Sequence, residues 1–221
     1  MSAPSEKSPI LRAEPSWLWL EKPPGLPVFP PHQDPAGDCL LSRLLRTRTD
    51  QRASWPEGFE GGLAHRLDVS TSGIVLAARS PADLARARVA FSSRALRKVY
   101  RFLSDGTVPW TEHRVTTELA HHRKRRDRMV VRRGQNTPHR GRWYPADTRF
   151  RHLGGALWEA VIVTGVMHQI RIHAASVGLA LRGDRVYGAP TWDDAPEGVT
   201  FALHHCRIEG LGGCPFSPPW F

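Results

Sequence analysis

An aspartate in a loop of small polar residues is the strongest candidate for chemistry in this sequence. Residues 65–73 read His-Arg-Leu-Asp-Val-Ser-Thr-Ser-Gly, and the carboxylate belongs to Asp68. The apolar run GIVLAA at 73–78 follows directly and predicts a buried strand. Catalytic groups concentrate in loops that a rigid scaffold holds in place. An Asp beside Ser and Thr is also common in turns and helix caps, so the loop alone leaves both interpretations open.

A second polar segment offers a partner for that carboxylate. Residues 168–173 read His-Gln-Ile-Arg-Ile-His. If they are helical, His168, Arg171 and Ala175 lie on one face. A carboxylate beside the Arg171 guanidinium would keep its negative charge, which suits a nucleophile or an electrostatic partner better than a general acid. The alternative is that His168 and Arg171 form a solvated helix face.

The charge of the chain favours a nucleic-acid partner. The 221 residues include 31 Lys and Arg against 21 Asp and Glu, a net charge of +10. Such an excess is typical of nucleic-acid binders, although a soluble protein can carry it without a ligand. Residues 121–142 hold nine Arg and Lys and one acid, and they predict a mobile, solvent-facing insertion. We expect it to bind RNA phosphates, with a solvated charge run as the alternative. Its candidate contacts are Arg123, Lys124, Arg125 and Arg126.

The remaining patterns predict mixed secondary structure. Apolar runs indicate strands at 17–20, 73–78, 99–103 and 157–163. Strands outnumber strong helices and do not alternate with them regularly. The sequence therefore predicts an α+β fold with a largely antiparallel, mixed sheet, flanking helices and loops, and a central cleft.

Three helices are predicted from their ends. Ser80 is placed to cap a helix whose first residue is Pro81. Asp38 is a candidate cap for a short leucine-rich helix. Residues 168–177 form an amphipathic stretch that Gly178 closes.

The chain is expected to be one domain, residues 16–221, after a mobile polar tail at residues 1–15. Three scattered cysteines without a Cys-x-x-Cys pair argue against a disulfide framework and a zinc site, and they fit a reducing cytoplasm. The N-terminus lacks the apolar core of a signal peptide. No run approaches the ~18 apolar residues of a membrane span.

Several segments in register resemble the RluA family of RNA pseudouridine synthases. The motif His-Arg-Leu-Asp-x-x-Thr-Ser-Gly is complete at 65–73. The resemblance spans about residues 17 to 215. Its flanking matches are Lys22-Pro23-Pro24-Gly25-Leu26, Lys98-Val99-Tyr100, His168-Gln169-Ile170-Arg171, Gly183-Asp184 with Tyr187-Gly188, and Leu203-His204.

The resemblance implies isomerisation of uridine to pseudouridine in tRNA or rRNA, with no cofactor and no metal. Asp68 is expected to be the essential carboxylate, Tyr100 to stack on the uracil, and Arg171 to pair with Asp68. Arg66 is expected to extrude or hold the target nucleotide. The other expected RNA contacts are His65, Thr71, His168 and Gln169.

Two departures from the family pattern affect these expectations. Val166 and Met167 stand where the family usually has an Arg and a hydroxyl residue. The family's larger members begin with an S4 RNA-binding domain, which is not found here, so a minimal, monomeric member is expected.

Two other classes of protein remain as alternatives. The first is a non-catalytic RNA-binding module with the same fold. The second is a metal-dependent nuclease or phosphatase that uses His168, His173, His204 and His205. The second is disfavoured because no two of these histidines have the i,i+4 spacing of a helical metal site.

Overall fold

A computed structural model of the protein describes residues 8–221. The predicted α+β class is confirmed. The helices are α1 Leu40–Thr47, α2 Pro81–Ser92 and α3 Gln169–Ser176. The strands are β1 Ile10–Ala13, β2 Trp17–Lys22, β3 Ser72–Ala78, β4 Arg97–Leu103, β5 Glu112–Val115, β6 Leu119–His122, β7 Met129–Val131, β8 His139–Tyr144, β9 Thr148–Gly154, β10 Leu157–Ile162 and β11 Leu203–Glu209.

Eight of these strands form one sheet that carries the core. Its order is β1-β2-β3-β11-β4-β10-β9-β5. Only β3 and β11 pair in parallel, and the other neighbours are antiparallel. The strands β7, β6 and β8 form a second, antiparallel sheet. The prediction of a largely antiparallel sheet is therefore confirmed.

Alternation along the central strands divides the core into two layers. In β2, Trp17 and Trp19 pack in the cluster that contains Leu84 of α2. Leu18 and Leu20 pack in the larger cluster on the opposite face. This is the period of two that a strand buried on both faces requires. The neighbouring strand β3 is buried along its whole length, as its apolar run predicts.

The predicted cap of α2 is confirmed, and that of α1 is wrong. Ser80 Oγ accepts a hydrogen bond from the Asp83 backbone N–H at 3.1 Å. At α1 the cap is Cys39, whose Sγ accepts from the Ser42 N–H at 3.3 Å. Asp38 cannot serve there because its carboxylate binds the Arg43 guanidinium at 3.1 Å.

The predicted N-terminal tail is wrong for part of its length. Ile10–Ala13 form β1, an edge strand that pairs with β2. Backbone pairing orders this polar stretch, although most of its side chains are exposed. Residues 1–7 lie outside the described residues, so the prediction of a mobile tail stays a prediction there.

The basic segment 121–142 is solvent-facing, but it is not a mobile insertion. It belongs to the three-stranded sheet, and the β6–β7 turn spans residues 123–128. Leu119 and Met129 are buried with Ile172 of α3 and Tyr187. The high charge of the segment led to the prediction of a mobile insertion. The apolar side chains of Leu119 and Met129 instead pack the sheet against the rest of the domain.

Gly73 is predicted to be irreplaceable for stability. Its φ is +106°, and a Cβ there would overlap the His205 carbonyl of β11. Gly73→Ala should therefore lower the free energy of unfolding by at least about 2 kcal/mol in chemical denaturation.

The matched control for this prediction is Gly154→Ala. Gly154 has a φ of +119° but open space around the Cβ position, so it carries the backbone strain without the clash. Equal losses in the two variants would contradict the assigned role of the close β3–β11 approach.

Candidate active site

The Asp68 loop is held in place mainly through its backbone. Asp68 lies just before the turn that leads into β3, and its side chain is 34% exposed. The carbonyl of the next residue, Val69, accepts from Lys22 Nζ at 2.9 Å and from the Gly25 N–H at 3.0 Å. The Thr71 N–H donates to the Asp68 carbonyl at 3.0 Å and closes the turn. The carboxylate is therefore presented by a fixed backbone at an open surface.

Lys22 is the buried cation below this loop. Its side chain is fully buried at the end of β2. Its ammonium donates to the carbonyls of Pro23, Leu26 and Val69 at 3.0, 2.7 and 2.9 Å. Burial lowers the pKa of Lys22 to about 7, and the nearby Asp68 carboxylate partly opposes that shift. Three carbonyl acceptors favour the charged form, which ties the chain at 23–26 to the Asp68 loop.

Arg171 is shared by two carboxylates. Its Nε and Nη2 bind Asp184 at 2.6 and 2.9 Å, and its Nη1 lies 3.5 Å from Asp68 Oδ2. The side chains of Arg171 and Asp184 are 7% and 1% exposed. Burial alone would lower the pKa of Arg171, but the bonds and charge of Asp184, then the charge of Asp68, raise it. The structure brings Arg171 to Asp68 as predicted, but Asp184 is the closer partner.

His168 approaches Asp68 from the start of α3. It caps α3 in the left-handed region, with a φ of +54°, and its Nε2 lies 3.9 Å from Asp68 Oδ2. Its Nδ1 is 3.0 Å from the Tyr187 hydroxyl, and that hydroxyl oxygen accepts a hydrogen bond from the Met129 N–H at 2.9 Å. Burial lowers the pKa of His168, which favours the neutral ring. We therefore assign the proton to Nε2, because the Tyr187 hydroxyl then donates to Nδ1.

Tyr100 forms the buried floor beside Asp68. It is 6% exposed, and its ring stacks on His205 with centroids 4.4 Å apart and planes at 18°. Burial raises the pKa of the phenol, and the charge of Asp68 raises it further. The hydroxyl therefore keeps its proton. The His205 ring supports one face of Tyr100 and is anchored to the Ile74 carbonyl at 2.6 Å.

Three of the expected RNA contacts are occupied by the protein itself. The amide of Gln169 makes four hydrogen bonds to residues 147, 148, 164 and 166. His65 Nε2 accepts from the Leu76 N–H at 3.1 Å, and burial lowers the pKa of His65 to about 3. Thr71 is 2% exposed. Contact of these side chains with RNA stays a prediction, and the structure shows each of them hydrogen-bonded or buried within the fold.

The cationic RNA contacts remain accessible. Arg66 is exposed two residues before Asp68. Arg123, Lys124, Arg125 and Arg126 are exposed in the β6–β7 turn, where Arg125 pairs with Asp127 at 2.9 Å. The Asp68 loop and this turn come from different sheets. They are linked through Met129, Tyr187 and His168.

Three of the four histidines of the metal hypothesis are hydrogen-bonded within the fold, and His168 lies beside Asp68. His173 bonds to Thr148, and His204 bonds to Ser72 and Ser217. Within residues 8–221, His, Cys, Asp and Glu side chains do not form a group of three that could hold a metal ion. In the same range, no helix has the length and apolarity that crossing a membrane demands.

Sequence reasoning missed the roles of three residues at this site. Asp184 neutralises Arg171, Tyr187 orients His168, and Lys22 holds the Asp68 loop. All three lie within the segments 22–26 and 183–188 that matched the family pattern. For Lys22 and Asp184, a charged residue inside a matching segment was the signal that could have indicated their roles.

Comparison with known proteins is consistent across sequence and structure. Residues 16–176 match the family model described as RNA pseudouridylate synthase. A protein of Aquifex aeolicus named uncharacterized RNA pseudouridine synthase is 30% identical over 189 residues, which cover 86% of this chain and 58% of that protein. The ribosomal large subunit pseudouridine synthase D of Nitrosomonas europaea is 32% identical, covering 90% of this chain and 57% of its own. The chain thus spans little more than half the length of these curated relatives.

Two solved human structures have the same fold. RNA pseudouridylate synthase domain containing 1 superposes with a TM-score of 0.72 at 20% identity, covering 99% of this chain and 86% of its own. RNA pseudouridylate synthase domain containing 4 gives 0.66 at 22% identity, covering 90% and 82%.

Asp184 is predicted to be essential for folding stability. Asp184→Asn would leave the buried Arg171 guanidinium without its bidentate partner, which costs about 3–5 kcal/mol of unfolding free energy. Urea denaturation measures the loss. The control is Asp105→Asn, which breaks the exposed ion pair with Arg182 and should cost at most about 1 kcal/mol. Similar losses for the two variants would contradict this account.

Proposed function

The chain belongs to the RNA pseudouridylate synthase family, and from this premise we propose that it isomerises specific uridines in structured RNA to pseudouridine, with Asp68 as the essential carboxylate. One observation carries the proposal. Asp68 is the partly exposed carboxylate that Arg171 and His168 approach to 3.5 and 3.9 Å, beside the buried Tyr100. An RNA-binding module without catalysis has no need for a carboxylate held in this way.

The arrangement suits chemistry on a base that has left its stack. A paired uridine cannot expose its glycosidic bond, and flipping it out costs a few kcal/mol. Stacking on an aromatic ring returns about 1–3 kcal/mol per base. Tyr100 has such a ring, supported by His205 on one face, and we assign the uracil to it. Arg66, exposed beside the loop, is assigned to hold the extruded nucleotide.

The reaction moves one bond and one proton within the substrate. The bond between N1 of uracil and C1′ of ribose breaks, the base rotates, and a bond forms between C5 and C1′. The proton lost from C5 is balanced by the N–H gained at N1, so the isomerisation needs no redox partner.

The carboxylate has two compatible roles. A carboxylate facing a cation-like sugar carbon is the usual means of breaking a glycosidic bond. Asp68 acts at C1′ as a nucleophile or at C2′ as a base. In either role the Arg171 guanidinium, 3.5 Å away, places a positive charge beside the carboxylate, and His168 lies 3.9 Å from the same oxygen.

The assignment of Asp68 can be tested by a single substitution. Asp68→Asn retains the shape of the side chain and removes its charge. We expect pseudouridine formation to fall below detection while RNA binding persists. Pseudouridine mapping of RNA incubated with each protein measures the product. The exposed control Asp194→Asn should behave as wild type. Turnover by Asp68→Asn above a few percent of wild type would refute the assignment.

The target and the setting are also part of the proposal. The proposed substrate is tRNA or rRNA, and we favour a compact stem-loop, as in tRNA, whose backbone the basic β6–β7 turn contacts. We propose that the chain acts as a monomer. A reducing cytoplasm fits its three free cysteines, two of them buried.

The β6–β7 turn is proposed to bind the RNA backbone rather than to read sequence. Neutralising phosphates releases counterions. The logarithm of the affinity therefore falls by about 0.7 to 0.9 per phosphate contact for each tenfold increase in salt concentration. Replacing Arg123, Lys124, Arg125 and Arg126 with Ala should flatten a plot of log affinity against log salt by roughly two to four units. The same uridine should still be modified at saturating RNA.

The control for this prediction removes the same charge elsewhere. Replacing the exposed Arg12, Arg52, Arg86 and Arg88 with Ala changes the net charge equally but leaves the turn intact. If both quadruple variants gave the wild-type slope, the turn would be a solvated surface. A changed modification site would mean that it also carries specificity.

A further inference from the structure

A pocket lies next to the Asp68 site and has no role in the chemistry described above. It has a volume of about 340 Å³ and opens between the end of α2, the three-stranded sheet and residues 163–167. We call it the flanking pocket. Its walls include Phe91, Arg94, His121, Tyr144, Val166 and Met167.

Two walls of the flanking pocket are connected to the Asp68 site, one through the chain and one through a ring contact. On one side, Met167 is followed in the chain by His168, whose Nε2 lies 3.9 Å from the Asp68 carboxylate. On the other side, Phe91 packs on His65, three residues before Asp68, with ring centroids 5.4 Å apart. The pocket is thus connected to the Asp68 site through His168 on one side and through His65 on the other.

The lining matches the two surfaces of a nucleobase. Phe91, Tyr144, Val166 and Met167 offer an apolar and aromatic surface for the flat face of a base. His121 supplies a polar group, since its Nδ1 is buried and finds no hydrogen-bond partner among residues 8–221. A buried nitrogen without a partner is uncommon, and the His121 ring must turn for a base in the pocket to bond to it.

Arg94 adds a cation at the edge of the same pocket. It is exposed and sits in the left-handed region, with a φ of +60°, just after α2. A non-glycine residue in that conformation is uncommon. It costs free energy and persists only where the surrounding fold compensates for that cost. The backbone there directs an arginine next to an apolar pocket, the combination that a base with its phosphate needs.

We propose that the flanking pocket binds the base of a nucleotide adjacent to the target uridine, with Arg94 on its phosphate and His121 on its polar edge. This inference rests on the proposed function, because it takes the RNA at Asp68 as given. The pocket would then contribute to the choice of uridine through its neighbour.

Methionine methyl groups report on this pocket directly. The chain has three methionines, and two of them, Met129 and Met167, line the pocket. Protein labelled with ¹³C at the methionine methyls is titrated with each of AMP, GMP, CMP and UMP up to about 10 mM. At least one nucleotide should shift both signals. Ribose 5-phosphate, which lacks a base, should leave Met167 unshifted.

Two variants separate the assigned roles. Arg94→Asn keeps a residue that tolerates a positive φ, and it should weaken all bound nucleotides about tenfold. His121→Leu should reduce the difference in affinity between nucleotides. The control Arg88→Asn removes an exposed arginine of α2 that lies over Phe59, and it should bind as wild type.

The titration requires no turnover, so it distinguishes failure of this inference from failure of the proposed function. The inference is overturned if no nucleotide shifts Met167, or if ribose 5-phosphate shifts it equally. A shift of Met129 alone also overturns it, since that residue borders a second cavity whose lining includes Ile172 and Ala175 of α3. In the RNA substrate, an abasic nucleotide beside the target uridine should raise KM, because the pocket then has no base to bind.

Discussion

The buried guanidinium of Arg171 is the interaction on which the site depends. A buried charge is tolerated only when it is paired, and Asp184 provides a bidentate partner that is itself buried. That pairing leaves Nη1 as the group that faces Asp68 at 3.5 Å. The need to pair this buried guanidinium therefore constrains the positions of three segments, namely α3, the 184–187 turn and the Asp68 loop. Arg171 can remain charged beside Asp68 because its ion pair with Asp184 offsets most of the free energy that burial of the guanidinium costs.

A second constraint acts on the backbone below Asp68. β3 and β11 approach so closely that Gly73 leaves no room for a side chain, and this parallel contact sets where the loop before β3 ends. Lys22 joins the loop to the 23–26 turn through three carbonyls. Asp68 thus has a fixed backbone from one side and a fixed cation from the other. This leaves the carboxylate ready for a substrate without rearrangement, which is the condition for electrostatic stabilisation of a reacting group.

Patterns in the sequence predicted those parts of this arrangement that depend on local chemistry. The apolar run of β3 and the Ser80 cap needed only neighbouring residues, and they were correct. The cap of α1 was wrong because the decisive contact, from Arg43 to Asp38, competes with the backbone. The basic segment was taken for mobile because its anchors are only two apolar side chains, Leu119 and Met129. The hydrogen bonds from Gln169 to residues 147 and 148 could not be predicted from its motif, because they depend on a distant strand.

The pairing of His168 with Tyr187 connects the two sheets in a way that no single segment reveals. The Met129 N–H at the start of β7 donates to the Tyr187 hydroxyl, which fixes the ring of His168 beside Asp68. β7 is also the strand that follows the basic β6–β7 turn. Movement of this turn relative to α3 must stretch that hydrogen bond or carry His168 with it. In the proposed function, RNA at the turn and the base at Asp68 contact the two ends of this hydrogen-bond network, so we expect binding of the backbone to affect the alignment of the carboxylate.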